Sequence, residues 1–152
     1  MPGQRSVHFL DHTADLQVRL QAESPEGLFE LGAQLLFELL TDQPSSDIEC
    51  ETGAPLKLYL EAADPAELFA RWLEELVFLL DARGLAPLSA QANLDSKVEG
   101  SVLSATVVFV TLDALRAAGL ELHRIPKAVT RHKLRFEGLP SGRWLAEVVF
   151  DV

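Results

Sequence analysis

Two stretches of this 152-residue chain repeat their apolar residues every three or four positions, and much of the remainder repeats them every second one. That contrast constrains the fold more than any other feature. Leu28, Leu31, Leu35 and Leu39, joined by Phe29 and Leu36, form one helical stripe. Ser24-Pro25-Glu26 opens it, with Ser as the N-cap and Pro in the first turn, where its missing N–H costs nothing. Asp64-Pro65-Ala66-Glu67 opens the second, whose stripe is Leu68, Phe69, Trp72, Leu73, Leu76, Leu79 and Leu80. Gly84 stands where a C-cap belongs. Each helix is apolar on one side only, so each must lie on another layer.

The rest of the chain supplies that layer as strands. Leu16, Val18, Leu20 and Ala22 alternate with Gln17, Arg19 and Gln21, which predicts a strand with one buried face and puts Asp15 with the polar set. Leu56, Leu58 and Leu60 do the same. Residues 101–110 are β-branched and strand-like. Residues 129–136 and 144–150 read as strands joined by the hairpin loop 137–142. Weaker patterns place short strands at 7–10, 48–51 and 88–93, and a short helix or loop at 111–119. The expectation is a single domain, 1–152, folded as a two-layer α/β sandwich. Its mixed, largely antiparallel sheet carries the two main helices on one face. Function then falls to the other face or its rim.

Composition narrows the possible functions. A formal net charge of −10 disfavours direct nucleic-acid binding, since phosphate contacts need Lys and Arg. No run approaches the ~20 apolar residues of a membrane span, and the N-terminus lacks the apolar core of a signal peptide. One cysteine, Cys50, makes neither an internal disulfide nor a multi-cysteine zinc site. The expected compartment is cytoplasmic. No phosphate-binding loop, dinucleotide fingerprint, nucleophile elbow or His-Glu-x-x-His motif is present.

Three segments could carry chemistry. The strand 144–150 runs apolar to Asp151 and Val152, which set a side-chain carboxylate beside the α-carboxylate. If that strand neighbours the one beginning at Asp15, three anions meet. At about 5 Å and an effective dielectric near 20, each pair repels by roughly 3 kcal/mol. A divalent cation resolves this, and oxygen ligands select Ca²⁺, Mg²⁺ or Mn²⁺ over zinc. Spacing leaves the alternative open, in which Asp15 caps a turn and the terminus is solvated.

The second segment is basic. Six of the thirteen Lys and Arg lie between Arg116 and Arg135. Strand parity puts Lys127, Val129, Arg131, Lys133 and Arg135 on one face, expected to be open and cationic. Ala128, Thr130, His132, Leu134 and Phe136 fall on the other, packed face. Such a stripe suits an anionic partner group or an exposed strand that resists aggregation. The third segment is His12-Thr13-Ala14-Asp15. His12 and His132 fit a general base, a metal ligand or a hydrogen-bonded structural role.

Taken in order, His12-Thr13-Ala14-Asp15-Leu16, the Leu28-Phe29-Glu30-Leu31 helix leading to Thr41-Asp42, and Asp64 followed by Trp72-Leu73-Glu74-Glu75-Leu76 resemble the archease family. Lys127-Ala128-Val129-Thr130, His132 and Phe150-Asp151-Val152 complete the likeness over nearly the whole chain. The resemblance implies a protein cofactor of an RtcB-type RNA ligase in tRNA splicing and RNA repair, not an enzyme. Such a protein promotes GTP-dependent guanylylation of the ligase's histidine and multiple turnover. The resemblance also implies a divalent metal site, Ca²⁺ first and Mg²⁺ or Mn²⁺ as alternatives, at Asp15, Asp151 and Val152. It assigns the functional lysine to Lys127. Against the resemblance, Arg131 stands where a tyrosine or similar residue is common, and Gln17 where a glycine is common. The competing readings are a metal-dependent hydrolase with paired carboxylates and a general chaperone-like module. The oligomeric state is not legible from the sequence.

Overall fold

The computed structural model describes residues 3–9, 15–123 and 125–152. The His12-Thr13-Ala14 part of the opening motif lies outside them. The elements in order are β1 (Gln4–Phe9), β2 (Asp15–Ala22), α1 (Pro25–Thr41), β3 (Leu56–Ala62), α2 (Pro65–Arg83), β4 (Leu85–Lys97), β5 (Gly100–Thr111), α3 (Leu112–Ala117), β6 (Ala128–Gly138) and β7 (Trp144–Asp151).

The fold is α/β, and its strands are divided between two sheets. One has the order β1-β2-β7-β6 and the other β3-β5-β4, and every pairing is antiparallel. Periodicity in a strand reports which face is buried and says nothing about its neighbours, so the division was invisible in the sequence. The main core joins Leu16, Val18 and Leu20 of β2 and Val148 and Phe150 of β7 to Leu28, Phe29 and Leu36 of α1. It continues into Leu73 and Leu76 of α2 and Leu103 and Val107 of β5. Both long helices therefore serve both sheets.

Local chemistry explains the helix ends. Ser24 accepts from the Gly27 N–H and Asp64 from the Glu67 N–H, satisfying amide groups that lack helical partners. Gly84 ends α2 at φ 62, a left-handed conformation that costs glycine little. Trp72 ties the helices together, its indole N–H donating to the Phe29 carbonyl at 2.8 Å within the core. Phe29 packs edge-on to Phe69 with centroids 5.5 Å apart, and Phe136 of β6 lies 5.3 Å from Phe29.

Two expectations require correction. Residues 48–51 form no strand. A single 3-10 turn at Ser45–Asp47 precedes them, and Ile48 and Cys50 pack on a smaller apolar cluster with Phe37, Leu40, Leu80 and Leu115. Their apolar side chains mark burial under a loop. The basic strand also breaks its parity. Thr130 faces Val149 while Arg135 faces Glu147, so five steps along β6 match two along β7. Lys133 takes up the excess at φ 57.

Candidate functional site

The start of β2 and the end of β7 meet at one rim of the four-stranded sheet. Asp15 is the direct cross-strand partner of Asp151, and Ala128 is the partner of Asp151 on its other side. Strand parity puts the two aspartates on the same face, opposite the one on which Leu16 and Phe150 enter the core. Asp15 is half-buried and Asp151 exposed. Val152 packs its side chain against the core, which fixes the residue beside the pair. Thr130 lies one row inward on the same face, and its buried hydroxyl has no hydrogen-bond partner among the described residues.

Lys127 joins this rim through its main chain, its N–H donating to the Asp151 carbonyl at 2.7 Å. Its side chain borders a shallow groove of 270 Å³ shared with Glu74, Val77, Phe78 and Asp81 of α2. Phe78 is 54% exposed there. Among the described residues, Lys127 makes no ion pair, whereas Arg131 and Arg135 are both engaged. The structure therefore brings Asp15, Asp151, Val152 and Lys127 to one end of one sheet. His132 is exposed and belongs to the irregular part of β6 rather than to this rim. No three His, Cys, Asp or Glu side chains among the described residues converge as a metal cluster. Among the described residues, the oxygen set at the rim consists of the Asp15 and Asp151 side chains and Val152.

The expected open cationic face is corrected by these contacts. Val129 is buried opposite Phe150. Arg131, on the same side, forks onto two carboxylates of α2. Its Nε donates to Glu67 at 3.1 Å, Nη1 to Glu74 at 2.7 Å, and Nη2 to both at 2.6 and 2.9 Å. Hydrogen bonds from Arg131 hold the Glu67 carboxyl below its usual range, and the two carboxylates raise the guanidinium in return. Arg135 crosses to the other face, donates to Glu147 at 2.7 Å and also pairs with Glu137. Glu147 is 5% exposed and takes a second contact from Arg19 at 3.3 Å. Two arginines thus neutralise one buried carboxylate. Sequence reasoning missed all of these partners. The nearest signal was Glu67 and Glu74 seven positions apart on α2, two turns along one helix side, across from an unexplained basic strand.

Residues 8–152 match the model of the archease protein family (MTH1598/TM1083). The chain belongs to the archease family. It is 32% identical over 147 residues to protein archease of Methanopyrus kandleri, covering 94% of this chain and 96% of the relative. It is 30% identical over 142 residues to protein archease of Pyrococcus abyssi, covering 93% and 95%. The solution structure of Methanobacterium thermoautotrophicum protein 1598 shares the fold with a TM-score of 0.71, at 25% identity and 99% coverage of both chains. The likeness in fold extends over nearly the whole chain, the last strand included. Arg131 is here the bolt between β6 and α2.

Proposed function

We propose that this archease-family protein is the cofactor of an RtcB-type RNA ligase, acting in tRNA splicing and RNA repair. In this reading it promotes guanylylation of the ligase by GTP, supports multiple turnover, and performs no reaction of its own. Membership of the family supports the cofactor role. The observation that carries the finer reading is the Asp15–Asp151 cross-strand pair, with Lys127 hydrogen-bonded through its main chain to the second aspartate. Like charges directly opposite on a sheet destabilise it, so the arrangement needs a compensating role. A hard divalent cation suits it. Among the described residues at the rim the donors are oxygen, and Asp15, Asp151 and Val152 would hold Ca²⁺, with Mg²⁺ or Mn²⁺ as substitutes. The orphaned Thr130 hydroxyl, buried on the same face, fits a water-mediated contact to such a site.

Bound there, a cation would supply positive charge at the rim and fix the end of β7. The chain's own residues do the remainder. Lys127 follows Pro126, which restricts the backbone leading to it, and it has no ion-pair partner among the described residues. It is available for an anionic group of the ligase's nucleotide or active site. Arg131 keeps Glu74 occupied at the edge of the groove beside Lys127. The net charge of −10 suits docking on a basic RNA-processing enzyme. No helix among the described residues is long and apolar enough to cross a membrane, and action beside such a ligase would put the protein in the cytoplasm.

The test is guanylylation of a purified RtcB-type ligase by labelled GTP, with and without substoichiometric amounts of this protein. Stimulation is expected, and Asp15→Ala and Lys127→Ala should each abolish it with the circular dichroism spectrum unchanged. No stimulation by the wild type sinks the ligase reading. Phosphoester hydrolysis without the ligase would favour the metal-dependent hydrolase instead.

A further inference from the structure

We propose that the free edge of the three-stranded sheet pairs with the same edge of a second copy, around a two-fold axis at Tyr59 of β3. The two sheets expose four edge strands, β1 and β6 in one and β3 and β4 in the other. Two of these are blunted. β6 is interrupted by its three-residue irregularity with Lys133 in left-handed backbone. The main-chain N–H of Ala92 on β4 is taken by the Glu30 carboxylate at 3.0 Å. Such devices protect unpaired backbone from association. β3 lacks them. It pairs with β5 in unbroken register from Leu56 to Ala62, with no proline or positive φ within it. One side-chain bond reaches its main chain among the described residues, from Arg71 Nη1 to the Glu61 carbonyl at 2.7 Å. A carbonyl has two lone pairs, so this bond leaves room for another donor.

The side chains of β3 are self-complementary about its centre. Antiparallel pairing of two copies at Tyr59 sets Lys57 of each opposite Glu61 of the other. It sets Leu58 opposite Leu60, Leu56 opposite Ala62, and Tyr59 opposite Tyr59. Two opposite-charge pairs thus form on the outer face, and the leucines extend the inner one. Centres at Leu58 or Leu60 leave both charges unpaired. The groups involved reach solvent, and Glu61 keeps a second carboxylate oxygen for the partner while its Oε1 accepts from the Tyr59 hydroxyl at 2.9 Å. Tyr59 is 63% and Leu56 41% exposed, and Lys57 makes no ion pair among the described residues. The result is one continuous six-stranded sheet, with the Asp15–Asp151 rim on the other sheet of each copy left free.

Sedimentation equilibrium of the full chain in ~0.15 M salt tests this. A concentration-dependent monomer–dimer equilibrium is expected. Lys57→Glu and Glu61→Lys each turn two attractions into two repulsions and should weaken the dimer roughly tenfold. An equimolar mixture of the two variants restores complementary charges in a heterodimer and should regain the wild-type constant. The double variant K57E/E61K should regain it as well. A protein monomeric up to about 1 mM overturns the proposal, that being the weak end of specific affinity. Association that ignores both single substitutions, or a mixture that fails to rescue, overturns it equally. The altered side chains are exposed, and unchanged circular dichroism of each variant confirms folding.

Discussion

Replacing Asp15 by asparagine should make the metal-free protein more stable and the Ca²⁺-saturated protein less so. The sign reversal follows from the register, which sets Asp15 directly opposite Asp151. Facing Cβ atoms in an antiparallel pair lie about 4.5–5.5 Å apart. Two unit charges at about 5 Å repel by roughly 0.8 kcal/mol in water and roughly 3 kcal/mol at an effective dielectric of 20. Asp151 is exposed and Asp15 only half-buried, so the water-like end applies and about 1 kcal/mol is relieved. For a chain of this size that raises Tm by about 2–4 °C. Ca²⁺ at 100 times its dissociation constant stabilises the wild type by about 2.7 kcal/mol, or roughly 5–10 °C. The Asp15→Asn variant lacks one of the charges that attract the ion and should lose most of that gain. The assay is thermal melting of chelator-treated wild type, Asp15→Asn, Asp151→Asn and the double variant, each with and without millimolar Ca²⁺. Raising the salt to about 1 M should shrink the metal-free difference, because the pair is reached by solvent. If both single variants melt at or below the wild type without metal, the repulsion is not there. If the double variant gains as much from Ca²⁺ as the wild type, the ion binds elsewhere.

Arg131→Gln should cost roughly 1 kcal/mol at neutral pH, because its forked pairs with Glu67 and Glu74 are largely solvent-reached. Glu67 is held below its ordinary value of 4.5, so this stability is present above that pH and is lost as pH falls through the lowered folded value. Denaturant melts at pH 7 and pH 3 read it, and a double-mutant cycle with Glu67→Gln should show coupling at the higher pH only. Trp72→Phe removes the buried bond to the Phe29 carbonyl and part of a filled core site. It should lower stability by about 2 kcal/mol in urea with an unchanged slope.

Both long helices were legible because their information is local. Ser24 and Asp64 act on amides three residues ahead, and the stripes they launch need only a period near 3.6. The strand character of 16–22, 56–60, 101–110 and 144–150 was legible for the same reason. The loop at 48–51 was misread because Ile48 and Cys50 are half-buried against side chains that α1, α2 and α3 bring from elsewhere. In β6 the alternation predicted one open basic face. A three-residue irregularity then sent Arg131 to α2 and Arg135 to Glu147. No local signal marked it, since Lys133 in left-handed backbone looks like any lysine in the sequence.

The carboxylates divide the same way. That Asp151 and Val152 stand side by side at the end of an apolar strand is a property of adjacent residues, set by covalent order and a period of two. That Asp15 joins them is a property of pairing. Those residues are separated by nearly the whole chain, and the likeness to the archease family was the only reason within the sequence to join them. The register Asp15–Asp151 exists because Leu16, Val18 and Leu20 must enter the same core as Phe150, Val148 and Ala146. A slip of one residue would turn either set toward solvent. The sequence therefore determined which groups could carry charge at the rim. Only the packing of the buried faces decided that they meet.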